Sequence, residues 1–287
     1  MSGPANRPRP VVQALLTFLA LSAFAANSLL CRLALRAGAI DPASFTAIRL
    51  SSGAVTLVLL LRFRGQRLPS PSWLSPFYLA LYAIPFAFAY LHLQAGTGAL
   101  LLFGSVQGTM VLGGYREGHR LGAIEWLGML IAFGGLAWLV APGVSAPDPL
   151  SAALMVIAGL AWGLYSLRGR GAGSAALPLT AANFVRATPL ALAVCLVAVR
   201  SLDATAHGIL LAVLSGSLAS GVGYLIWYSA LPGLTPVVAS VVQLAVPVLA
   251  ALGGIALLGE ALSWRLAGAS ALVLGGIALT LLSRRVR

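Results

Sequence analysis

The sequence predicts an all-α, polytopic membrane protein: ten transmembrane helices in two inverted five-helix repeats, with both termini cytoplasmic. Three observations carry that expectation. Of 287 residues, 60% are hydrophobic and only 8% charged, where soluble domains carry roughly a quarter charged residues. The apolar runs have lengths suited to single or double crossings of a hydrocarbon core, about 20 residues each. The chain is also similar to itself at a shift of about 137 residues, close to half its length.

All the strongly basic residues are arginine, and the net charge is +12. The arginines punctuate apolar runs instead of clustering on a polar face, which is a topology signal and not a nucleic-acid footprint. The partners this composition implies are the lipid bilayer and a small-molecule substrate, with no nucleic acid. Cys31 and Cys195 lie in or beside apolar spans, so they imply no disulfide framework.

Residues 1–10 read as a cytoplasmic tail, followed by the first span at 11–33. The basic start, the run VVQALLTFLALSAFA and the small residues Ala23 and Ala25 also fit a cleaved signal peptide. An uncleaved helix is preferred because the apolar run continues to Cys31 and the repeat requires it. The second span, 43–61, ends at Arg62, Arg64 and Arg67. Leu68 to Tyr115 holds no charged residue and is about twice the length of one span. It divides near HLQAGTG into 73–92 and 96–115. Arg116 and Arg120 precede the fifth span, 122–141; Arg168 and Arg170 separate the sixth, 150–167, from the seventh, 178–199. Ala204 to Gly259 is again double and divides at ALPGLTP into 206–229 and 236–258, leaving 265–283 as the tenth. The repeats are then residues 11–146 and 147–287.

Sidedness supports the count. With the N-terminus inside, Arg7, Arg9, Arg62, Arg64, Arg67, Arg116, Arg120, Arg168, Arg170, Arg284, Arg285 and Arg287 all fall in cytoplasmic segments. Only Arg32, Arg36, Arg200 and Arg265 fall outside, and one span more or fewer destroys that asymmetry.

The shift of about 137 residues superposes Arg49 in SFTAIRLSSG on Arg186 in AANFVRATPL, and pairs Gln107 with Gln243. Five spans per half is an odd number, so the second copy is inserted upside down. Such carriers place a solute site at the midplane, between halves that rock against each other. Each arginine sits about 10 Å along its span, at 1.5 Å per residue. Two readings are open for the pair: snorkelling anchors near opposite interfaces, or gating and solute contacts.

Tyr78, Tyr82, Phe86 and Tyr90 recur every four residues in the third span, one helical face of rings and hydroxyls fit to grip an amphipathic solute. The inverted partner, SGSLASGVGYLIWYS, offers small residues that open space, with Tyr224, Trp227 and Tyr228 supplying rings. Trp162 and Tyr165 share a face of the sixth span, and Asn27 and Ser28 are their counterparts in the first. A buried amide in lipid turns inward, so Asn27, Gln107 and Gln243 are candidates for the solute site, with helix–helix hydrogen bonding the alternative for the glutamines. Pro85, Pro189 and Pro247 can kink spans and free carbonyls. The glycine pairs Gly134-Gly135 and Gly275-Gly276 suit close helix packing.

LAWGLYSL at the head of the second half, AIRL and FVRA in the second span of each half, and the stretch from WYSALPGLTPVV to SALVLGG together resemble the EamA family of the drug/metabolite transporter superfamily. The resemblance covers essentially the whole chain, although Ala25-Ala26 stands where the family favours Trp-Gly, and no proline matches Pro247 near Met110. Its aromatic content makes it similar to the YddG-like aromatic amino-acid exporters. The resemblance implies a secondary transporter of the cell inner membrane, monomeric or homodimeric, without cofactor or metal. Small multidrug-resistance relatives exchange protons for cations at a glutamate in the first span; here that span offers only Asn27. The expected function is export of an amphipathic metabolite, an aromatic or large neutral amino acid, by alternating access. Export of a nucleoside or lipophilic cation is the alternative, followed by a flippase or channel. Scattered histidines, cysteines and acids give no metal cluster or nucleophile–base pair for an enzyme.

Overall fold

The computed structural model describes residues 10–70, 72–116, 122–143, 146–169, 175–197, 203–230, 234 and 242–283. The terminal arginines, Arg120, Arg170, Arg200 and the loop around residue 118 lie outside the described residues. The described chain is helical, with one isolated antiparallel bridge between Ile40 and Ala204. The helices are α1 (Pro10–Arg36), α2 (Pro42–Phe63), α3 (Leu74–Ala89), α4 (Ala95–Arg116), α5 (Ala123–Val140), α6 (Pro149–Gly169) and α7 (Ala176–Val197). After these come α8 (Ala206–Leu214), a π-helical segment (Ser215–Val222) and α9 (Gly223–Ala230), which run on as one rod, then α10 (Ala245–Leu258) and α11 (Trp264–Ser283).

Among the described residues seven helices are long and apolar enough to cross a membrane, and Leu74–Ala89, Ala245–Leu258 and Trp264–Thr280 are shorter apolar helices. Large apolar side chains such as Leu130, Leu196, Val197 and Leu257 stand exposed around the bundle, a surface that calls for lipid.

Local signals set the helix starts. Asp41 caps α2, its carboxylate accepting from the backbone N–H groups of Ala43 and Ser44 at 2.9 Å, with Pro42 following. Asp148 caps α6 through Ser151 N–H, and Thr205 caps α8 through Gly208 N–H. Pro85 lies inside α3 and Pro189 inside α7. Pro247 sits in the first turn of α10, just after a turn at Leu244 that separates that helix from the helical residues 242–243.

The main interfaces join the two halves of the sequence. α2 packs on α7, α5 on α11, and α4 on α10; α6 packs on α3 and α4, while α1 packs on α9 and α10. Glycines permit the closest crossings. A Cβ on Gly216 would stand 2.2 Å from the Arg49 carbonyl oxygen, and one on Gly276 2.4 Å from that of Gly128. Gly135 is similarly crowded, against Leu272, whereas Gly134 and Gly275 face open space. Only one glycine of each predicted pair therefore serves packing, because neighbouring residues point about 100° apart around a helix.

Polar contacts gather at the two ends of the bundle. At one, Arg32 pairs with Glu260 at 3.2 Å and donates to the carbonyls of Tyr90 and Leu91, while Glu260 also accepts from Ala95 N–H at 2.9 Å. Arg36 reaches the Leu258 carbonyl at this end, and the Asp41 and Asp203 backbones bond each other. At the other, Arg168 donates to Ser72 and Ser75, and Arg186 to Ser70.

Candidate functional site

A cavity at the centre of the bundle is walled by Phe24, Asn27 and Ser28 of α1, Arg49 of α2, Tyr82 and Phe86 of α3, and Leu102 and Phe103 of α4. Trp162 of α6, Ala219 and Ser220 of the π-helical segment, and Tyr224 of α9 close it. It is narrow, with room for water.

One side is aromatic. Trp162 lies at the middle, its ring 4.8 Å from that of Tyr82, 5.1 Å from Tyr224 and stacked on Tyr165 at 5.4 Å. Tyr224 is braced edge-on by Phe24 and Phe184. Tyr165 stands behind Trp162, its hydroxyl accepting from Asn183 at 3.3 Å.

The other side is polar and built around Arg49, which is only 1% exposed. Its Nη2 donates to the Tyr82 hydroxyl at 2.9 Å and its Nε to the Ser220 hydroxyl at 3.2 Å. The guanidinium carbon lies 5.2 Å from the Tyr82 ring centre and 5.0 Å from that of Phe86, within cation–π range. Asn27 donates to the same Tyr82 hydroxyl at 3.3 Å and accepts from Ser215 at 2.7 Å. Both serines come from the π-helical segment, a device that recurs at functional sites.

The structure thus brings Asn27, Arg49, Tyr82, Trp162 and Tyr224 to one cavity, with Tyr165 as support. It corrects the snorkelling alternative for Arg49, which is sealed by α3 and the π-helical segment. Arg186 is half-buried, with its guanidinium 5.2 Å from the Trp73 ring and bonded to Ser70, as an interfacial anchor would be. Gln107 is buried in a separate apolar pocket with Met129, Phe133, Leu136 and Thr280, between α4, α5 and α11. Gln243 is half-buried ahead of α10 and belongs to neither cavity wall.

The tyrosine ladder of α3 divides. Four residues turn a helix by 400°, so each step drifts about 40°. Tyr82 and Phe86 face the cavity, whereas Tyr78 lies half-buried beside Phe77 and Tyr90 is buried with its hydroxyl toward the Ala95 carbonyl. Trp227 packs edge-on against Phe24 outside the lining. Pro85 is buried within α3 between Tyr82 and Phe86. The pairing of Arg32 with Glu260 and the serines of the π-helical segment were not among the sequence candidates. The run SGSLASGV carried the signal for the latter.

Comparison with known proteins follows this geometry. The model of the EamA-like transporter family matches residues 149–282. A protein of Pseudomonas aeruginosa, "Uncharacterized protein PA1977", is 54% identical over 273 residues, 94% of each chain. Residues 149–282, the second half of the chain, are an EamA-like transporter family domain. EamA-like proteins are membrane transporters and not enzymes, and the multi-pass apolar bundle accords with that. A solved crystal structure of a protein matches over 95% of this chain and 98% of its own, at a TM-score of 0.70. At 19% identity it shows the shared fold.

Proposed function

We propose that this transporter exports a small amphipathic metabolite, an aromatic or large neutral amino acid, across the cell inner membrane by alternating access. The observation that carries the reading is the central cavity itself: the rings of Tyr82, Trp162 and Tyr224, tilted against one another, on one side, and hydrogen-bonding Arg49, Asn27 and Ser220 on the other. A flat apolar side chain fits between rings, and the polar side suits an amino-acid head group.

All ten apolar rods serve as spans in this reading, in two inverted repeats with the Arg168 end cytoplasmic. The interfaces support it, because exchanging each rod with the one five places along turns the α3–α6 contact into that of α1 with α8–α9, and the α4–α6 contact into α1–α10. Since the largest interfaces join the two halves, the moving bodies are mixed bundles and not the sequence halves themselves.

Proteoliposomes loaded with labelled phenylalanine, leucine, a nucleoside or a lipophilic cation test the proposal. Saturable efflux of the amino acids, reduced by Trp162→Ala, is expected. Efflux of the nucleoside or cation in their place would assign the protein to another substrate class.

A further inference from the structure

Among the described residues, the buried guanidinium of Arg49 has no ion-pair partner. Among the described acids, Asp41 and Asp148 cap helices, Glu125 takes the Gly122 N–H, and Glu260 takes Arg32 and Ala95. Asp203 is exposed at the end of the bundle where its backbone bonds Asp41. Arg49 is held through Nε and Nη2 by hydroxyls and by the faces of two rings, and Nη1 is buried with no hydrogen-bond partner. A full charge kept out of water without a counterion is costly and is retained where it is used. Because this arginine lines the central cavity, the site already described lacks one thing: a single negative charge.

We propose that Arg49 is the residue that takes the carboxylate of the transported solute, its unpartnered Nη1 edge forming a charge-assisted hydrogen bond when the cavity opens and fills. The assignment rests on the amino-acid carrier reading and makes it narrower. With two of the three guanidinium nitrogens already engaged, the site favours a singly charged carboxylate over a phosphate dianion, which would call for more donors. It disfavours an organic cation, whose charge would meet Arg49 with no acid alongside. An α-ammonium group can lie against the aromatic faces of Tyr82, Trp162 or Tyr224. The carboxylate, not the amine, is therefore the recognised charge.

The test uses full-length protein in detergent, with thermal stabilisation measured against 3-phenylpropionate, L-phenylalanine and 2-phenylethylamine. Both carboxylates should stabilise the wild type and the exposed-charge control Arg62→Gln, and the amine should not. Arg49→Lys keeps the charge but loses the planar fork, and should weaken carboxylate binding about tenfold or more. Arg49→Gln should abolish it. Should Arg49→Gln fail to fold, Arg49→Lys and the wild-type comparison of acid with amine decide. Equal binding of amine and amino acid, unchanged affinity in Arg49→Lys, or no binding of either carboxylate overturns the assignment. Binding of 3-phenylpropionate without phenylalanine efflux overturns the amino-acid reading and leaves Arg49 standing; saturable phenylalanine efflux unchanged in Arg49→Lys does the reverse.

Discussion

Arg49 and Arg186 lie 137 residues apart in the similar contexts AIRL and FVRA, yet one is sealed in the bundle and the other reaches Ser70 and Trp73. Depth along a span is legible in a sequence, because arginines, prolines and glycines mark its ends. What covers a side chain is not, because that depends on a rod far away in the chain, here the π-helical segment about 170 residues on. The Tyr82 hydroxyl shows the consequence. It accepts from both Arg49 and Asn27, so Tyr82→Phe strands two buried donors. A loss of about 1–3 kcal/mol in stability is expected, with Tyr78→Phe as reference, measured by chemical or thermal unfolding. Asp148, outside the spans, gives a pH signature. The Ser151 N–H, and secondarily its hydroxyl, hold the carboxyl below its ordinary value of 3.8. A carboxyl lowered in the folded state contributes stability that is present above the unfolded value and lost as pH falls through the folded one. The melting temperature should therefore drop on acidification below about pH 4, and less so in Asp148→Asn, which caps without titrating there. An identical acid profile in the variant would remove Asp148 from the account.

At the scale of the element, the span boundaries were legible because the chain punctuates them. The expected 43–61 and 206–229 correspond to Pro42–Phe63 and to the rod from Ala206 to Ala230. The π-helical segment was not legible: SGSLASGV is a run of small residues compatible with either helical pitch. Its register nevertheless places Ser215 against Asn27 and Ser220 against Arg49. Gly216 makes the approach possible, since a Cβ there would lie 2.1 Å from Ser52 Oγ as well as against the Arg49 carbonyl. Gly216→Ala must push the segment off α2, and overpacking of this kind costs about 1–3 kcal/mol. Gly134→Ala adds a methyl group to open space and should be neutral or stabilising, by up to about 1 kcal/mol from helix propensity. Melting curves of the two variants should move apart. Equal shifts would mean that the α2 crossing tolerates the methyl group and that the cavity wall is not set by Gly216.

For the whole molecule, the described arginines sort themselves by contact. Arg168 and Arg186 meet serines near the start of α3, whereas Arg32 and Arg36 meet the ends of α3 and α10. These are the groups that the positive-inside count assigns to opposite faces, apart from Arg186, which that count did not use. The two ends are also closed differently. Exposed arginine–serine bonds hold one, and the partly buried Arg32–Glu260 pair holds the other. Glu260→Gln leaves Arg32 without its counter-charge and should cost on the order of 3 kcal/mol, measured by unfolding. Sidedness itself follows from α2, whose 22 residues span about 33 Å at 1.5 Å per residue, enough to separate its two flanks across a hydrocarbon core. Ala37 and Gln66 are exposed on those two flanks. With Cys31 and Cys195 replaced by serine, Ala37→Cys in intact cells should react with a membrane-impermeant maleimide. Gln66→Cys should react only after permeabilisation if its loop, with Arg62, Arg64 and Arg67, follows the positive-inside rule. The opposite pattern would invert the whole arrangement and place the Arg32–Glu260 closure on the cytoplasmic face. Labelling of both positions from outside would mean that α2 does not cross the membrane, which would remove Arg49 from any transbilayer path.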